Sequence, residues 1–147
     1  MTTSEYVMGR TEAEYDRLRS QAEVWAPATE RLLMQAGVRP GARCLDVGCG
    51  PGATMRLMSE MAGPAGRVVG LDVDNGLGAA AAEFSGGEFV PADVTTDDDA
   101  VPAGGFDLVY GRLILLHTAD PVAVLRRMWR WTAPGGVLVV QDYDMET

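Results

Sequence analysis

The sequence contains no lysine. All 12 basic residues are arginines, against 21 acidic residues, and the formal net charge is −9. Nucleic-acid binding draws most of its affinity from clustered cations that neutralise phosphates. The acidic composition therefore predicts a protein without a nucleic-acid partner.

Long apolar runs are also missing. No run approaches the roughly 20 apolar residues that span a bilayer. Residues 1–10 lack the charged-then-apolar order of a secretory signal. We therefore expect a cytoplasmic protein with no membrane partner.

Cysteine and histidine are scarce. Cys44 and Cys49 are the two cysteines, and with no histidine near them they form neither a disulfide framework nor a zinc site. Cys44 is interpreted as a core strand residue, and Cys49 as a small loop side chain rather than a nucleophile. Three consecutive acids, Asp97 to Asp99, cannot all converge on one ion without a loop built for it. We interpret them as a solvated loop and expect no metal site.

The pattern along the chain predicts a helical start followed by alternating strands and helices. Two helices are expected between Thr11 and Gly37, the second with Pro27 at its start. Short apolar runs bounded by glycines predict buried strands over Arg43–Val47, Arg67–Leu71, Glu88–Val90, Phe106–Tyr110 and Gly136–Gln141.

Helices are predicted between several of these strands. Residues 53–62 form one, and the clearest runs from Asp120 to Thr132 with Asp120 as its N-cap. Its expected buried stripe is Val122, Leu125, Met128 and Trp129, with Trp129 and Trp131 packing the helix against the sheet. Only the segment between Asp72 and Glu88 is a weak helix former, because of Gly76 and Gly78.

Strands that alternate with helices imply parallel strands joined by crossovers. The predicted fold is a doubly wound, Rossmann-like α/β domain with a mostly parallel sheet and N-terminal helices. A length of 147 residues fits one compact unit. We place a helical cap at 1–37 and a ligand-binding α/β domain at 38–147. Ligands bind such sheets at the carboxyl ends of the strands.

The most informative segment is CLDVGCGPG, residues 44–52. A strand runs into a turn with Gly48, Gly50 and Gly52 at alternate positions, and then into a helix. Glycines there let the backbone take positive φ and let a ligand lie against the main chain. An ordinary glycine-rich turn is the alternative, but three glycines, a preceding strand and a following helix together favour a ligand-binding loop. The spacing also satisfies the dinucleotide pattern, so NAD stays open.

Acidic residues at three strand ends favour a cationic ligand over NAD. Asp46 lies two residues before Gly48 and is an odd neighbour for an anionic pyrophosphate, but it suits an amino group and a sulfonium. Asp72 ends the second strand, where a carboxylate would accept from ribose hydroxyls. Asp93 follows the third strand and is a candidate acceptor for an adenine amino group.

These segments resemble the class I S-adenosylmethionine-dependent methyltransferases. LDVGCGPG is similar to their first motif, LDVD at 71–74 to their ribose-binding strand end, PADV at 91–94 to their adenine motif, and FDLVYGRLILLHTADP and APGGVLVVQDYD to their fourth and fifth strands. The resemblance implies the cofactor S-adenosyl-L-methionine and a small-molecule acceptor. The cofactor-binding residues it implies are Asp46, Gly48, Cys49, Gly50, Gly52, Asp72, Val73, Asp93, Val94, Gly111 and Arg112.

Other candidates stand near the expected acceptor. His117 is the only histidine, and it is either a general base or a structural residue beside the cofactor. Arg112 would pair with a cofactor or acceptor carboxylate, or with a neighbouring acid. Gln141 and Asp142 end the fifth strand and are candidate acceptor-binding residues. Tyr15 and Gln21 are candidate cofactor contacts, because the N-terminal pattern is like that of methyltransferases whose helices close over the cofactor.

The chain also departs from the family. Full members carry two further strands that form a hairpin, whereas this sequence stops at Thr147, directly after the fifth strand. We expect either a longer protein or a homodimer that covers the exposed sheet edge. The predicted function is methyl transfer to an O, N or C nucleophile of a small molecule. The alternatives are a non-catalytic S-adenosylmethionine-binding module, a fragment of a longer methyltransferase, and an NAD-dependent reductase.

Overall fold

A computed structural model of the protein describes residues 11–142. Within them the chain forms helices and strands in the predicted alternation. The elements are α1 (Glu12–Glu23), α2 (Ala26–Gln35), β1 (Arg43–Val47), α3 (Ala53–Ala62), β2 (Arg67–Asp72), α4 (Asn75–Ser85), β3 (Glu88–Pro91), β4 (Phe106–Arg112), a 3₁₀ helix (Leu115–His117), α5 (Pro121–Trp131) and β5 (Thr132–Gln141). In this range no helix combines the length and the apolar character needed to cross a bilayer.

The five strands form one sheet in the order β3-β2-β1-β4-β5. Every neighbouring pair is parallel. The predicted doubly wound α/β fold is thereby confirmed. Because all strands run the same way, the carboxyl ends of β1, β2 and β4 lie at one edge of the sheet, where ligands of such folds bind.

The two faces of the sheet carry separate apolar cores. Cys44, Val68 and Leu108 point to one face, where they pack with Leu33 of α2 and with Met55 and Met58 of α3. Their neighbours in sequence point to the other face and form the second core, which includes Leu45, Val69, Val109, Met128 and Trp131. Successive strand side chains alternate between faces, so Asp46, Tyr110 and Arg112 belong to the face that α2 and α3 cover.

Helix α4 forms where the sequence predicted only a weak helix. Asp74 caps it, since its side chain accepts a hydrogen bond from the amide of Leu77 at 3.0 Å. Gly78 is needed for packing, because a Cβ at that position would overlap the ring of Phe89 on β3. The glycine that lowers helix propensity is therefore what lets α4 lie close to the sheet.

The stripe that α5 buries differs from the predicted one. Val124, Met128 and Trp131 are fully buried, whereas Val122 and Trp129 are 55% and 59% exposed. The prediction that Trp129 packs against the sheet is wrong, and the prediction for Trp131 is right. Both sets satisfy helical spacing, since α5 is apolar on more than one side.

Strand β5 begins four residues before the predicted start, at Thr132 rather than Gly136. Thr132 pairs with Phe106, and the pairing with β4 then shifts register before Leu108 meets Val137. Gly135 takes φ 80° within this irregular stretch. A glycine turn signal inside a strand can therefore mark a register shift rather than the beginning of the strand.

Candidate functional site

A cavity of about 290 Å³ lies at the carboxyl ends of β1 and β4. The sheet contributes Asp46, Tyr110 and Arg112, and helix α1 contributes the opposite wall. The full lining comprises Leu18, Gln21, Ala22, Trp25, Asp46, Gly48, Cys49, Gly50, Pro51, Ala53, Thr54, Tyr110, Arg112 and Leu113. Of the predicted cofactor residues, the structure therefore gathers Asp46, Gly48, Cys49, Gly50 and Arg112 around one space, together with Gln21.

Asp46 is the buried carboxylate of this cavity. It is 3% exposed, although acidic side chains are almost never fully buried unless they are paired. Burial raises the pKa of Asp46 to about 7, against the lowering effect of the Arg112 charge and with a further increase from Asp72. The side chain is therefore poised to ionise when a cation enters the cavity.

The glycine loop forms the floor of the cavity. Gly48, Gly50 and Gly52 have φ of 73°, 52° and 95°, which only glycine adopts readily. A Cβ on Gly50 would meet no other atom within 4 Å, so its absence leaves main chain open to the cavity. A Cβ on Gly52 would lie 2.7 Å from the Cα of Ala81, so this glycine lets the loop pack against α4.

Asp72 is tied to the same loop. One carboxylate oxygen accepts from the amide of Gly50 at 3.0 Å, and the other accepts from the amide of Asp74 at 2.9 Å. Each carboxylate oxygen has two lone pairs, so both keep one for a further donor. The position and remaining capacity suit a pair of hydroxyls, such as those of a ribose.

Asp93 lies in a hydrogen-bonded turn after β3. Its Oδ1 accepts from the amide and the hydroxyl of Thr95 at 2.8 and 2.6 Å, and these bonds lower the pKa of Asp93. Its own amide donates to Asp97 at 2.7 Å. Val94 turns its carbonyl to Arg127, which donates at 2.6 Å, whereas the Val73 side chain after β2 is 68% exposed. Neither Asp93 nor these valines line the cavity, and all three follow strands on the β2–β3 side of it.

The acids at 97–99 are exposed, as predicted, but they do more than face solvent. Asp98 pairs with Arg127 at 2.7 Å and Asp99 pairs with Arg130 at 3.1 Å, so α5 anchors this loop. Asp97 closes the turn of Asp93. Across residues 11–142, no cluster of three or more histidine, cysteine or acidic side chains is arranged to hold a metal ion.

Tyr110 and Gln141 link β4, β5 and α2. The Tyr110 hydroxyl donates to Gln141 Oε1 at 2.7 Å, and the Thr29 hydroxyl donates to the same oxygen at 3.1 Å. Burial raises the pKa of Tyr110 to about 12. The side-chain oxygen Oε1 of Gln141 is thus engaged inside the protein, so its side-chain amide NH2 is the group left to bind a methyl acceptor. Sequence reasoning missed Tyr110, although its strand parity matches that of Arg112.

Arg112 and Leu113 follow directly on β4. Arg112 lines this cavity and also a neighbouring one of about 310 Å³ between α1, α2 and α3. None of the ion pairs found among residues 11–142 involves Arg112, so its effect on Asp46 is exerted across the cavity. Leu113 takes φ 59°, an unusual conformation for a branched residue, and its amide donates to the carbonyl of Gln141 at 2.9 Å.

Other predicted residues lie outside the cavity. His117 is exposed on the 3₁₀ helix. Asp142 follows β5, and its buried Oδ1 has no hydrogen-bond partner among residues 11–142. Gly111 is covered by Ile114 and Met128, which leave no room for a Cβ. Tyr15 also does not line the cavity, and its ring lies 6.0 Å from the Arg19 guanidinium.

The cysteines are buried, as predicted for Cys44. Burial raises the pKa of the Cys44 thiol to about 12 and raises that of Cys49 further. Nucleophilic cysteines need a lowered pKa. Cys49 lines the cavity only as a small neutral side chain.

Arg19 on α1 is the main residue that sequence reasoning missed. It is 8% exposed, and its Nε donates to the carbonyl of Pro51 in the glycine loop at 3.1 Å. Its guanidinium also lies 3.9 Å from the centre of the Phe84 ring on α4. The available signal was the helical spacing of Tyr15, Arg19 and Ala22, which puts Arg19 on the side of α1 that faces the protein.

In sequence, the chain is similar to known methyltransferases. The sequence profile of a family described as a methyltransferase domain matches residues 15–147. Phosphoethanolamine N-methyltransferase 1 of Zea mays is 34% identical in an alignment of 123 residues that covers 80% of this chain and 24% of that protein. Nocamycin O-methyltransferase of Saccharothrix syringae is 34% identical over 127 residues, covering 78% of this chain and 42% of that protein.

A solved structure gives the same fold. It is a SAM-dependent methyltransferase from Aquifex aeolicus, with a TM-score of 0.77 at 20% identity, covering 92% of this chain and 74% of that one. The chain spans about a quarter of the length of the phosphoethanolamine methyltransferase it matches.

Proposed function

This chain belongs to the class I S-adenosylmethionine-dependent methyltransferase family, and on that premise we propose that it transfers a methyl group from S-adenosyl-L-methionine to an O, N or C nucleophile of a small molecule. The observation that carries the proposal is the joint placement of Asp46, the glycine loop and Asp72. These groups adjoin at one sheet edge, and α1 covers the cavity beside them.

The residues fit the cofactor by their chemistry. The cavity would take the methionine portion, with Asp46 facing its ammonium and Arg112 its carboxylate, while Gly48, Cys49, Gly50 and Gly52 provide main chain. Asp72 would hold the ribose. The adenine would lie toward Val73, Asp93 and Val94 on the β2–β3 side. When bound, the cofactor supplies a methyl group on a sulfonium.

The protein's own task is to position the reactants and to exclude water. Charge is lost as a sulfonium gives up its methyl group, so a closed site of low polarity favours the reaction. Helix α1 contributes Leu18 and Ala22 to that closure, and Trp25 lies between α1 and α2. Holding a nucleophile in line with the methyl group supplies a large part of the barrier reduction, on the order of several kcal/mol.

The acceptor would approach over the ends of β4 and β5. Gln141 and Asp142 are the candidate acceptor-binding residues, and the buried Oδ1 of Asp142 is free to accept a hydrogen bond. His117 is exposed near the end of β4 and is the proposed general base if the acceptor proton needs one. A small acceptor is supported by the net charge of −9 and by the small-molecule names of the relatives. The acidic composition and absence of a spanning helix among residues 11–142 are consistent with a cytoplasmic site of action.

Calorimetry with S-adenosylhomocysteine tests the cofactor assignment. We expect binding by the wild type and at least about tenfold weaker binding by Asp72→Asn, because a hydrogen bond to a charged group contributes about 1.5 to 3 kcal/mol. Asp107→Asn is the matched control, since Asp107 pairs with Arg43 at the amino ends of β4 and β1, away from the cavity at their carboxyl ends. Equal binding by the wild type and Asp72→Asn would contradict the assignment. We expect no binding in a parallel titration with NAD.

Turnover separates the enzyme from a non-catalytic cofactor-binding module or a fragment of a longer methyltransferase. We expect label to pass from methyl-labelled S-adenosylmethionine to one member of a panel of small amines, acids and phenols. Tight S-adenosylhomocysteine binding without any transfer would favour the binding module.

β5 is an edge strand of the sheet, and Val137 on it is 37% exposed, so we also propose that two copies of this chain pair through β5. Light scattering tests that proposal: a monomer at every concentration would refute it.

A further inference from the structure

The guanidinium of Arg19 joins three parts of the protein that are far apart in sequence. Its Nε donates to the Pro51 carbonyl in the glycine loop, and its Nη2 donates to the carbonyl of Ala80 on α4 at 3.4 Å. Its Nη1 reaches Asp16 on α1 at 3.4 Å. Its flat face covers the ring of Phe84. Arg19 thus connects helix α1, which forms one wall of the cavity, to the glycine loop, which forms its floor.

The position of the Pro51 contact gives this bridge its significance. Pro51 lies between Gly50 and Gly52, and its carbonyl belongs to the peptide that enters Gly52. Gly52 of the loop also packs closely against Ala81 of α4, where no Cβ fits. The loop is therefore held by its packing against α4 and by the hydrogen bond from Arg19. Without the Arg19 bond, a glycine-rich loop regains much of its backbone freedom.

The Arg19 side chain also holds helix α1 in place at the cavity. Leu18, Gln21 and Ala22 of α1 line the cavity and flank Arg19 in sequence. The Arg19 side chain is only 9% exposed, whereas its carboxylate partners Asp16 and Glu12 are 70% and 78% exposed. The guanidinium is therefore satisfied mainly by two main-chain carbonyls and an aromatic ring, and a planar group with several donors is suited to that task.

We propose that Arg19 is a positioning residue of the cofactor site. It couples the placement of helix α1 to the conformation of the glycine loop. The inference rests on the proposed function in one respect, namely that the cavity receives the methionine portion of the cofactor. Arg19 does not itself line that cavity. It acts through the Pro51–Gly52 peptide and through the placement of α1.

The test compares Arg19→Met with Arg56→Met. Arg56 is the matched control, because its guanidinium lies 4.7 Å from the same Phe84 ring and pairs with Glu60. Among residues 11–142 its side chain makes no hydrogen bond to the glycine loop, and the bond from its backbone amide to the Gly52 carbonyl does not depend on the side chain. Two readouts are measured: hydrogen exchange of the glycine loop and of α1 in the free protein, and the association and dissociation rates of S-adenosylhomocysteine.

In Arg19→Met we expect exchange to rise in α1 and in the glycine loop together, and S-adenosylhomocysteine to dissociate about tenfold faster with little change in association. Arg56→Met should stay within about twofold of the wild type on both readouts. Arg19→Lys, which keeps the charge but cannot donate in two fixed directions, should recover part of the effect. If Arg19→Met does not fold, the same comparison is made with Arg19→Lys, where an intermediate effect is expected.

Two results separate the possible failures. Faster exchange in α1 alone, with unchanged loop exchange and unchanged dissociation, would show that Arg19 only packs the helix and would overturn the proposal. Wild-type protein that does not bind S-adenosylhomocysteine would refute the cofactor assignment. The exchange of the free protein would then still decide whether Arg19 controls the glycine loop.

Discussion

Asp46 should make the free protein less stable as the pH rises. Its pKa is raised by burial from 3.8 to about 7 in the folded protein, whereas in the unfolded chain it ionises normally. The folded state therefore holds a proton that the unfolded state has already lost. Stability is greatest below the unfolded pKa and is lost as the pH rises toward about 7.

The magnitude follows from the shift. About three pKa units correspond to about 4 kcal/mol as an upper bound, of which about 2 to 3 kcal/mol falls between pH 5 and pH 7.5. Asp46→Asn keeps the shape of the side chain and removes the ionisation. We expect its free energy of unfolding to exceed that of the wild type at pH 7.5 and the difference to shrink at pH 5.

Urea unfolding of wild type and Asp46→Asn across pH 5 to 7.5 measures this effect. The thiols stay protonated in this range, so they do not contribute. Asp107→Asn is the control: Arg43 lowers the pKa of Asp107, so the stabilisation it gives is lost only at lower pH. Its curve should run parallel to that of the wild type. Parallel curves for wild type and Asp46→Asn would refute the reasoning. Asp46→Asn should also bind S-adenosylhomocysteine more weakly, because a neutral side chain cannot neutralise the positive charge of the ligand's ammonium group.

Three further predictions test the packing. Gly78→Ala should destabilise the protein by about 1 to 3 kcal/mol in urea unfolding, because the Phe89 ring occupies the Cβ position. Helix propensity alone predicts the opposite, about 1 kcal/mol of stabilisation. The loss of stability should be smaller in a Phe89→Leu background. Trp131→Ala should cost about 3 to 5 kcal/mol and Trp129→Ala under about 1 kcal/mol, and thermal midpoints that reverse this order would contradict the α5 packing. Tyr110→Phe should cost about 1 to 2 kcal/mol by removing a buried hydrogen bond, and a variant as stable as the wild type would show that this bond contributes nothing.

The strands, the glycine loop and the end of the sheet that carries the site could all be predicted from local sequence pattern. Strand identity follows from apolar runs bounded by glycines, and parallel strands bring their carboxyl ends to one edge, so Asp46 and Asp72 were predictable as neighbours. The period of two also puts Asp46, Tyr110 and Arg112 on one face. These features depend on local pattern and on the geometry of the sheet.

The tertiary structure alone decided which of several equivalent side chains was used. Helix α5 offers two apolar stripes, and only packing selects the one that contains Trp131 over the one that contains Trp129. Arg19 and Arg17 look alike on α1, but only Arg19 meets the Pro51 carbonyl. Contacts between residues distant in sequence fix these choices, because burial and hydrogen-bond partners exist only once the helices lie against the sheet.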